Sequence, residues 1–99
     1  MKQQNHFGAA FRAVRLARGL TQEDFAQQSG RTYISELERE VKQPTLQKID
    51  ELAEPLAVHP LTLLVLAYLT KFDASSCGEL LEEIRSELHE IIKTTSPGN

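Results

Sequence analysis

Arg31, Thr32, Ser35 and Glu36 place four hydrogen-bonding side chains on one short stretch, "RTYISELE", whose Ile34 and Leu37 share a different face. A guanidinium only donates, a carboxylate only accepts, and the two hydroxyls do both. That set can recognise a partner by hydrogen bonding. The residue types of bond-making chemistry are scattered instead. His6, His59 and His89 are widely separated, in no metal-ligand spacing, and Cys77 is the single cysteine. The sequence has no glycine-rich phosphate loop, no G-x-S-x-G elbow and no carboxylate pair distinguishable from helix-surface glutamates. The chain is therefore read as a non-enzyme with no cofactor and no metal, and Cys77 as a packing residue.

The elements that must position these side chains are helices. In "TQEDFAQQSGRTYISELE" two short amphipathic patterns stand on either side of Ser29 and Gly30. Thr21 suits the cap of the first, with Asp24 in a capping-box position and Leu20 and Phe25 placed as a hydrophobic staple. Glu23 and Asp24 suit the positive end of the helix dipole. The spacing predicts helices over about 22–28 and 31–39. Joined so tightly they must meet steeply, as in a helix-turn-helix.

Around them, a first helix is expected over about 5–18, with Phe7, Phe11 and Val14 on one face and Gly19 as its stop. After the loop "EVKQP", Thr45 should cap a fourth helix with an apolar stripe of Leu46, Ile49, Leu52, Ala53 and Leu56. Pro55 is expected to end or kink it near Glu54. His59 near the cap and Pro60 at the first helical position open a fifth, "VHPLTLLVLAYL", apolar nearly all round. After "KFDASS" a last helix is expected over 77–93. Its Cys77, Leu81, Ile84, Leu88 and Ile91 follow the four-three rhythm of a helix–helix seam, which Leu80 and Ile92 broaden. The end, "TTSPGN", reads as a disordered tail. No convincing strand appears, so the fold class is all-α: five helices and an added C-terminal one.

Ninety-nine residues fit one modest core. The net charge of −3 at first disfavours nucleic acid, but its distribution does not. Residues 1–48 hold eight Lys/Arg against five Asp/Glu, a balance of +3, and residues 49–99 hold three against nine, a balance of −6. Binding responds to the local surface, since salt screens charges beyond about 10 Å. The longest apolar run, 61–69, is too short for the roughly 20 residues of a bilayer span. "MKQQNHFGAA" lacks a signal-peptide pattern, and one cysteine fits a reducing compartment, so a cytoplasmic location is expected.

Three stretches, "FRAVRLARGLTQEDFAQQSG", "YISELERE" and "QPTLQKIDELAEPLAVHPLTLL", together resemble the phage-repressor-like, XRE-type helix-turn-helix family over about residues 7–64. The resemblance implies a five-helix DNA-binding domain whose third helix enters the major groove, usually in a dimer on a two-fold-symmetric operator. It implies phosphate contact by Gln22 at the start of helix two. Arg31, Thr32, Ser35 and Glu36 match positions facing base edges and nearby backbone, and Arg39 and Lys42 match the helix exit beside phosphate. Arg15 and Glu38 match an internal ion pair.

The chain departs from the family in three places. The stretch between Gly30 and Tyr33 is about two residues shorter than the commonest spacing, and the usual Ser/Thr cap is missing, leaving Ser29 or Gly30 to serve. Glu40 and Ala57 stand where glycine is frequent, and Glu40 puts a negative charge beside a helix end that prefers a cation.

Within the site, Arg31 is expected to meet a base edge, against the alternative that it touches only phosphate or solvent, and Thr32 and Ser35 either touch DNA or cap their helix. Glu36 either accepts from a cytosine amine or repels phosphate. Tyr33 is read as partial core, and Arg12, Arg18 and Lys48 as solvated. The expected organisation is a DNA-binding domain over 1–70 and a dimerisation helix with tail over 71–99. Leu63, Val65, Leu66, Tyr68 and Leu69, with Leu81, Ile84, Leu88 and Ile91, are the expected homodimer surface. The expected function is a sequence-specific, dimeric regulator of transcription on double-stranded DNA. The alternative is a protein-interaction module or an antitoxin-like protein that binds a protein partner, with DNA binding weakened.

Overall fold

The computed structural model describes residues 5–95, and every regular element among them is helical. In chain order these are α1 (Phe7–Ala17), a 3-10 turn (Gln22–Phe25) running into α2 (Ala26–Ser29), α3 (Arg31–Glu38), α4 (Leu46–Leu56), α5 (Pro60–Tyr68) and α6 (Ala74–Thr95). The chain divides into two compact units at Tyr68 and Leu69. Among the described residues no helix is long and apolar enough to cross a membrane.

In the first unit α1 packs on α5 and α3, α4 packs on α5, and α3 also meets the 3-10 turn and α2. Phe7, Ala10, Phe11 and Val14 supply the buried face of α1, and Phe25, Ile34, Leu37, Ile49, Leu52, Ala53, Leu56, Leu63 and Ala67 complete the core. The Phe11 and Phe25 rings meet edge to face, 5.2 Å between centroids, an arrangement favoured by the aromatic quadrupole. The backbone N–H of His6 donates to the Ala67 carbonyl at 2.7 Å and ties the entry of α1 to α5. Gly8 allows α1 to lie against α3. A Cβ there would overlap the carbonyl oxygens of Leu37 and Glu38.

The caps form as their residues dictate. The Asp24 N–H donates to Thr21 Oγ1 at 3.2 Å and the Thr21 N–H to Asp24 Oδ2 at 2.7 Å, a reciprocal capping box. Thr45 accepts from the Lys48 N–H, and His59 Nδ1 accepts from the Leu61 N–H behind Pro60. The segment predicted as a plain helix over 22–28 is instead a 3-10 turn followed by a single α turn.

Pro55, expected to end or kink α4 near Glu54, lies inside the helix, which stops at Leu56. A proline frees the carbonyl four residues back. That carbonyl, on Glu51, accepts from Gln28 Nε2 at 3.0 Å, so the donor missing from Pro55 comes from the end of α2. Ala57 then closes α4 in the left-handed conformation, φ 58°. Arg18, expected in solvent, donates from Nε to the Leu56 carbonyl at 2.8 Å and from Nη2 to the Ala57 carbonyl at 3.2 Å. A cation is favourable at a helix C-terminus, and here it also satisfies carbonyls that the helix leaves unpaired.

Glu40 is likewise not a misplaced charge. Its backbone takes φ 64°, and its carboxylate accepts from the Ala9 N–H at 3.0 Å, capping the first turn of α1. The negative charge therefore sits at a positive helix end.

The second unit contains α6, which begins three residues earlier than expected because Asp73 Oδ1 accepts from the Ser76 N–H at 2.7 Å. That bond holds the Asp73 carboxyl below its usual range. None of the residues of α6 is buried. The tail expected from Thr94 starts inside this helix, and residues 96–99 lie outside the described residues.

Candidate nucleic-acid interface

Ser29 ends α2 and Arg31 begins α3, so Gly30 alone makes the corner. Its backbone stands at φ 86° and ψ 136°, a conformation essentially confined to glycine. Of the two residues considered for the cap position of α3, Gly30 occupies it, and with no side chain it makes no capping bond. Thr32 and Ser35 do not cap the helix either. The Ile34 N–H already finds the Gly30 carbonyl, which leaves the N–H groups of the first turn without a side-chain acceptor.

At 3.6 residues per turn, positions 31, 32, 35 and 36 fall within one arc of about 140°, opposite Ile34 and Leu37. Ile34 and Leu37 are fully buried, Arg31 and Thr32 are exposed, and Ser35 and Glu36 are half-buried at the edge of the arc. The polar arc therefore faces outward from its own unit because the apolar pair faces in. Arg39 and Lys42, just past the end of α3, are exposed.

Each cation of the arc has a local partner. Arg31 Nη1 lies 3.5 Å from Glu23 Oε1, Lys42 Nζ lies 3.8 Å from Glu36 Oε1, and Arg39 Nε donates to Ser35 Oγ at 3.4 Å. Exposed pairs of this kind contribute about 0–1 kcal/mol, so they can exchange for other acceptors.

Beneath the arc the chemistry is rigid. Arg15 donates from Nε to Glu38 Oε2 at 2.6 Å, from Nη2 to Glu38 Oε1 at 3.0 Å, and from Nη1 to the Leu20 carbonyl at 2.9 Å. The Glu38 side chain is 4% exposed. The hydrogen bond to Glu38 holds the Arg15 guanidinium above its ordinary pKa, overcoming the opposite effect of burial. Gln22 Nε2 joins the same carboxylate at 3.0 Å. Its amide thus gives one donor to Glu38 and keeps a second.

Tyr33 packs on the core as expected, with burial raising its phenol pKa, and Lys48 Nζ sits 5.4 Å from its ring centroid. Lys48 also donates to Ser29 Oγ at 3.3 Å and pairs with Glu51 at 3.1 Å, so it is a tie between α2, α3 and α4 and not the solvated cation expected. Arg12, 3.9 Å from Glu38, remains largely exposed.

The expected dimer residues separate. Leu63 belongs to the core and Leu69 is 6% exposed, so within this chain neither presents much surface. Burial on their own chain consumes the area that an interface needs. Leu66 is half-buried against the core. Leu81, Leu88 and Ile91 are exposed and Ile84 is partly so, all on α6.

Sequence reasoning missed Arg18, Gln28 and Glu40 as structural donors and acceptors. Only for Gln28 was there a signal: a proline in a helical stripe orphans a known carbonyl, although the donor that answers it is set by packing.

A short helical turn, a one-residue glycine corner and a second helix with its polar arc outward define a helix-turn-helix domain. The chain belongs to the helix-turn-helix family, of the XRE type: the family model described as "Helix-turn-helix" matches residues 11–63, more than half of it. This is a family of DNA-binding regulators and not of enzymes. The crystal structure of the clp gene regulator ClgR from Corynebacterium glutamicum is similar in fold, with a TM-score of 0.61 and 24% sequence identity, covering 98% of this chain and 97% of that one. No curated protein matches the chain.

Proposed function

We propose that the protein is a sequence-specific regulator of transcription that binds double-stranded DNA as a homodimer. Residues 1–70 would carry the DNA contacts and residues 71–99 the dimer contacts. The observation that carries this reading is the outward polar arc of α3 on a helix whose first turn has no cap, held at a corner that only glycine permits. The absence of walls matters, because a blocked amino end could not enter a groove. Arg31 and Thr32, at that end, are exposed.

In this mechanism two copies present α3 to successive major grooves about 34–36 Å apart. Gln22, Arg39 and Lys42 contact phosphate and set orientation, and the uncapped N–H groups of α3 add to the attraction for anions. Arg31, Thr32, Ser35 and Glu36 read base edges, Arg31 through a bidentate pair with guanine. The second copy is held through Leu81, Ile84, Leu88 and Ile91, a seam spaced for a helix–helix contact that α6 leaves open.

The test is binding to duplex from the region upstream of the protein's own gene, followed across salt concentrations. A DNA binder weakens steeply as counterions are released. Arg31→Ala should cost about 1–3 kcal/mol on the preferred sequence and relax the choice of base, with the fold intact. A chain that binds no duplex but captures a protein partner would replace this reading with the interaction module.

A further inference from the structure

We infer that Glu23 determines specificity by acting on Arg31: it holds the guanidinium as a neutralised pair that rewards a base edge more than a phosphate. This inference rests on the DNA-binding reading above and names a residue that reading does not use.

Glu23 lies in the 3-10 turn, on the element before the corner, and Arg31 is the first residue beyond it. The corner brings Glu23 Oε1 to 3.5 Å from Arg31 Nη1, with the two side chains 69% and 76% exposed. Glu23 has no other task in its turn, whose capping box is made by Thr21 and Asp24. Its carboxylate is thus placed at the leading cation of the arc, and among the described residues it is bound to nothing else.

The consequence follows from the chemistry of the two acceptors. Arginine has five N–H donors, so a carboxylate on Nη1 leaves the Nε and Nη2 edge free to donate in parallel. The O6 and N7 atoms of guanine match that edge and carry no net charge, so the pair can stay together while a base is read. A phosphate is an anion. To bind it, Arg31 must either leave Glu23 or bring the phosphate close to a second negative charge. Glu23 therefore subtracts from binding that any sequence offers and leaves the base-specific contact largely untouched. Such opposition to the wrong partner is a general route to specificity.

Lys42 and Glu36 provide the contrast within the same surface. Their contact is longer, 3.8 Å, and a lysine ammonium is a point charge with no planar edge to offer a base. Glu36 can weaken that contact but cannot convert it into a base reader.

The experiment compares Glu23→Gln with wild type on two duplexes of equal length, the upstream sequence and a scrambled one, by fluorescence anisotropy across potassium chloride concentrations. Glu23→Gln should tighten scrambled duplex about 3–10-fold at low salt and steepen its salt slope by about one per subunit, the signature of one added phosphate contact. Binding to the upstream duplex should change less, so the specificity ratio falls. In an Arg31→Ala background the same substitution should leave the ratio unchanged, because its effect runs through Arg31. Equal tightening on both duplexes, or the same loss of ratio without Arg31, would reduce Glu23 to a bulk charge and overturn the inference. A wild type that prefers the upstream duplex while Glu23→Gln keeps its ratio rejects Glu23 alone. A wild type that binds neither duplex removes the DNA reading and this inference with it. Circular dichroism checks that the exposed substitution leaves the fold in place.

Discussion

The first unit and α6 solve opposite problems. Through α5, the first unit packs most of its apolar residues on itself: three phenylalanines and a set of aliphatics are buried, and a buried arginine is paired to the carboxylate that locks α1 to α3. The 22 residues of α6 bury none of theirs, although the helix carries a regular apolar stripe. Order in the first unit comes from long-range contacts. In α6 it comes from local bonds, such as the Asp73 cap and the Glu82–Arg85 pair at 2.9 Å. The difference teaches that amphipathic spacing reports a face wanting cover and not what covers it. Residues of one chemical type, Leu63 and Leu81, came out of the same reading as partners in a seam, and only the first is core.

Mutations can break this contrast at three levels. The largest effect is expected from Glu38→Ala, which strands the Arg15 guanidinium with most of its partners gone. Breaking such a pair costs about 3–5 kcal/mol, read as a lower midpoint in urea. A shift below 1 kcal/mol would mean that Arg15 reaches water and that the lock is superficial.

Gly30→Ala should cost about 1–3 kcal/mol, although a Cβ there meets nothing within 4 Å. The penalty would come wholly from the backbone at φ 86°. An unchanged melting temperature would show that the corner relaxes to a conformation open to all residues. That result would also loosen the placement of α3.

The smallest change in folding is expected from Ile84→Asp combined with Leu88→Asp. With no buried residue on α6, the first unit should keep its stability to within about 0.5 kcal/mol. The mass in solution should nevertheless fall from dimer to monomer in light scattering. A wild type already monomeric at micromolar concentration would reject the seam, and unfolding of the double variant would erase the contrast between the two units.

Much of the fold was legible because its signals are local. Thr21 with Asp24, Thr45, His59 with Pro60 and the stripes of α1 and α4 each act within one or two turns, and each formed as its spacing required except at Leu46, which opens the α4 stripe but is 74% exposed. Arg15 with Glu38 was legible through resemblance to the family. The fate of Pro55 was not, because its effect depended on a glutamine 27 positions earlier that supplies a donor to Glu51. The roles of Arg18 and Glu40 were hidden for the same reason. Each side chain serves the end of a helix distant in sequence, Arg18 at α4 and Glu40 at α1.

By itself, the sequence determined the all-helical class, most helix starts, the tight corner and the polar set on α3, since backbone capping and periodicity are short-range physics. Only the tertiary structure decided which charges are free. Lys48 and Arg18 became internal ties, Glu38 disappeared beneath the arc, and Glu23 came to stand beside Arg31. Charge pairing acts through space over a few ångströms, and which residues come that close is set by packing.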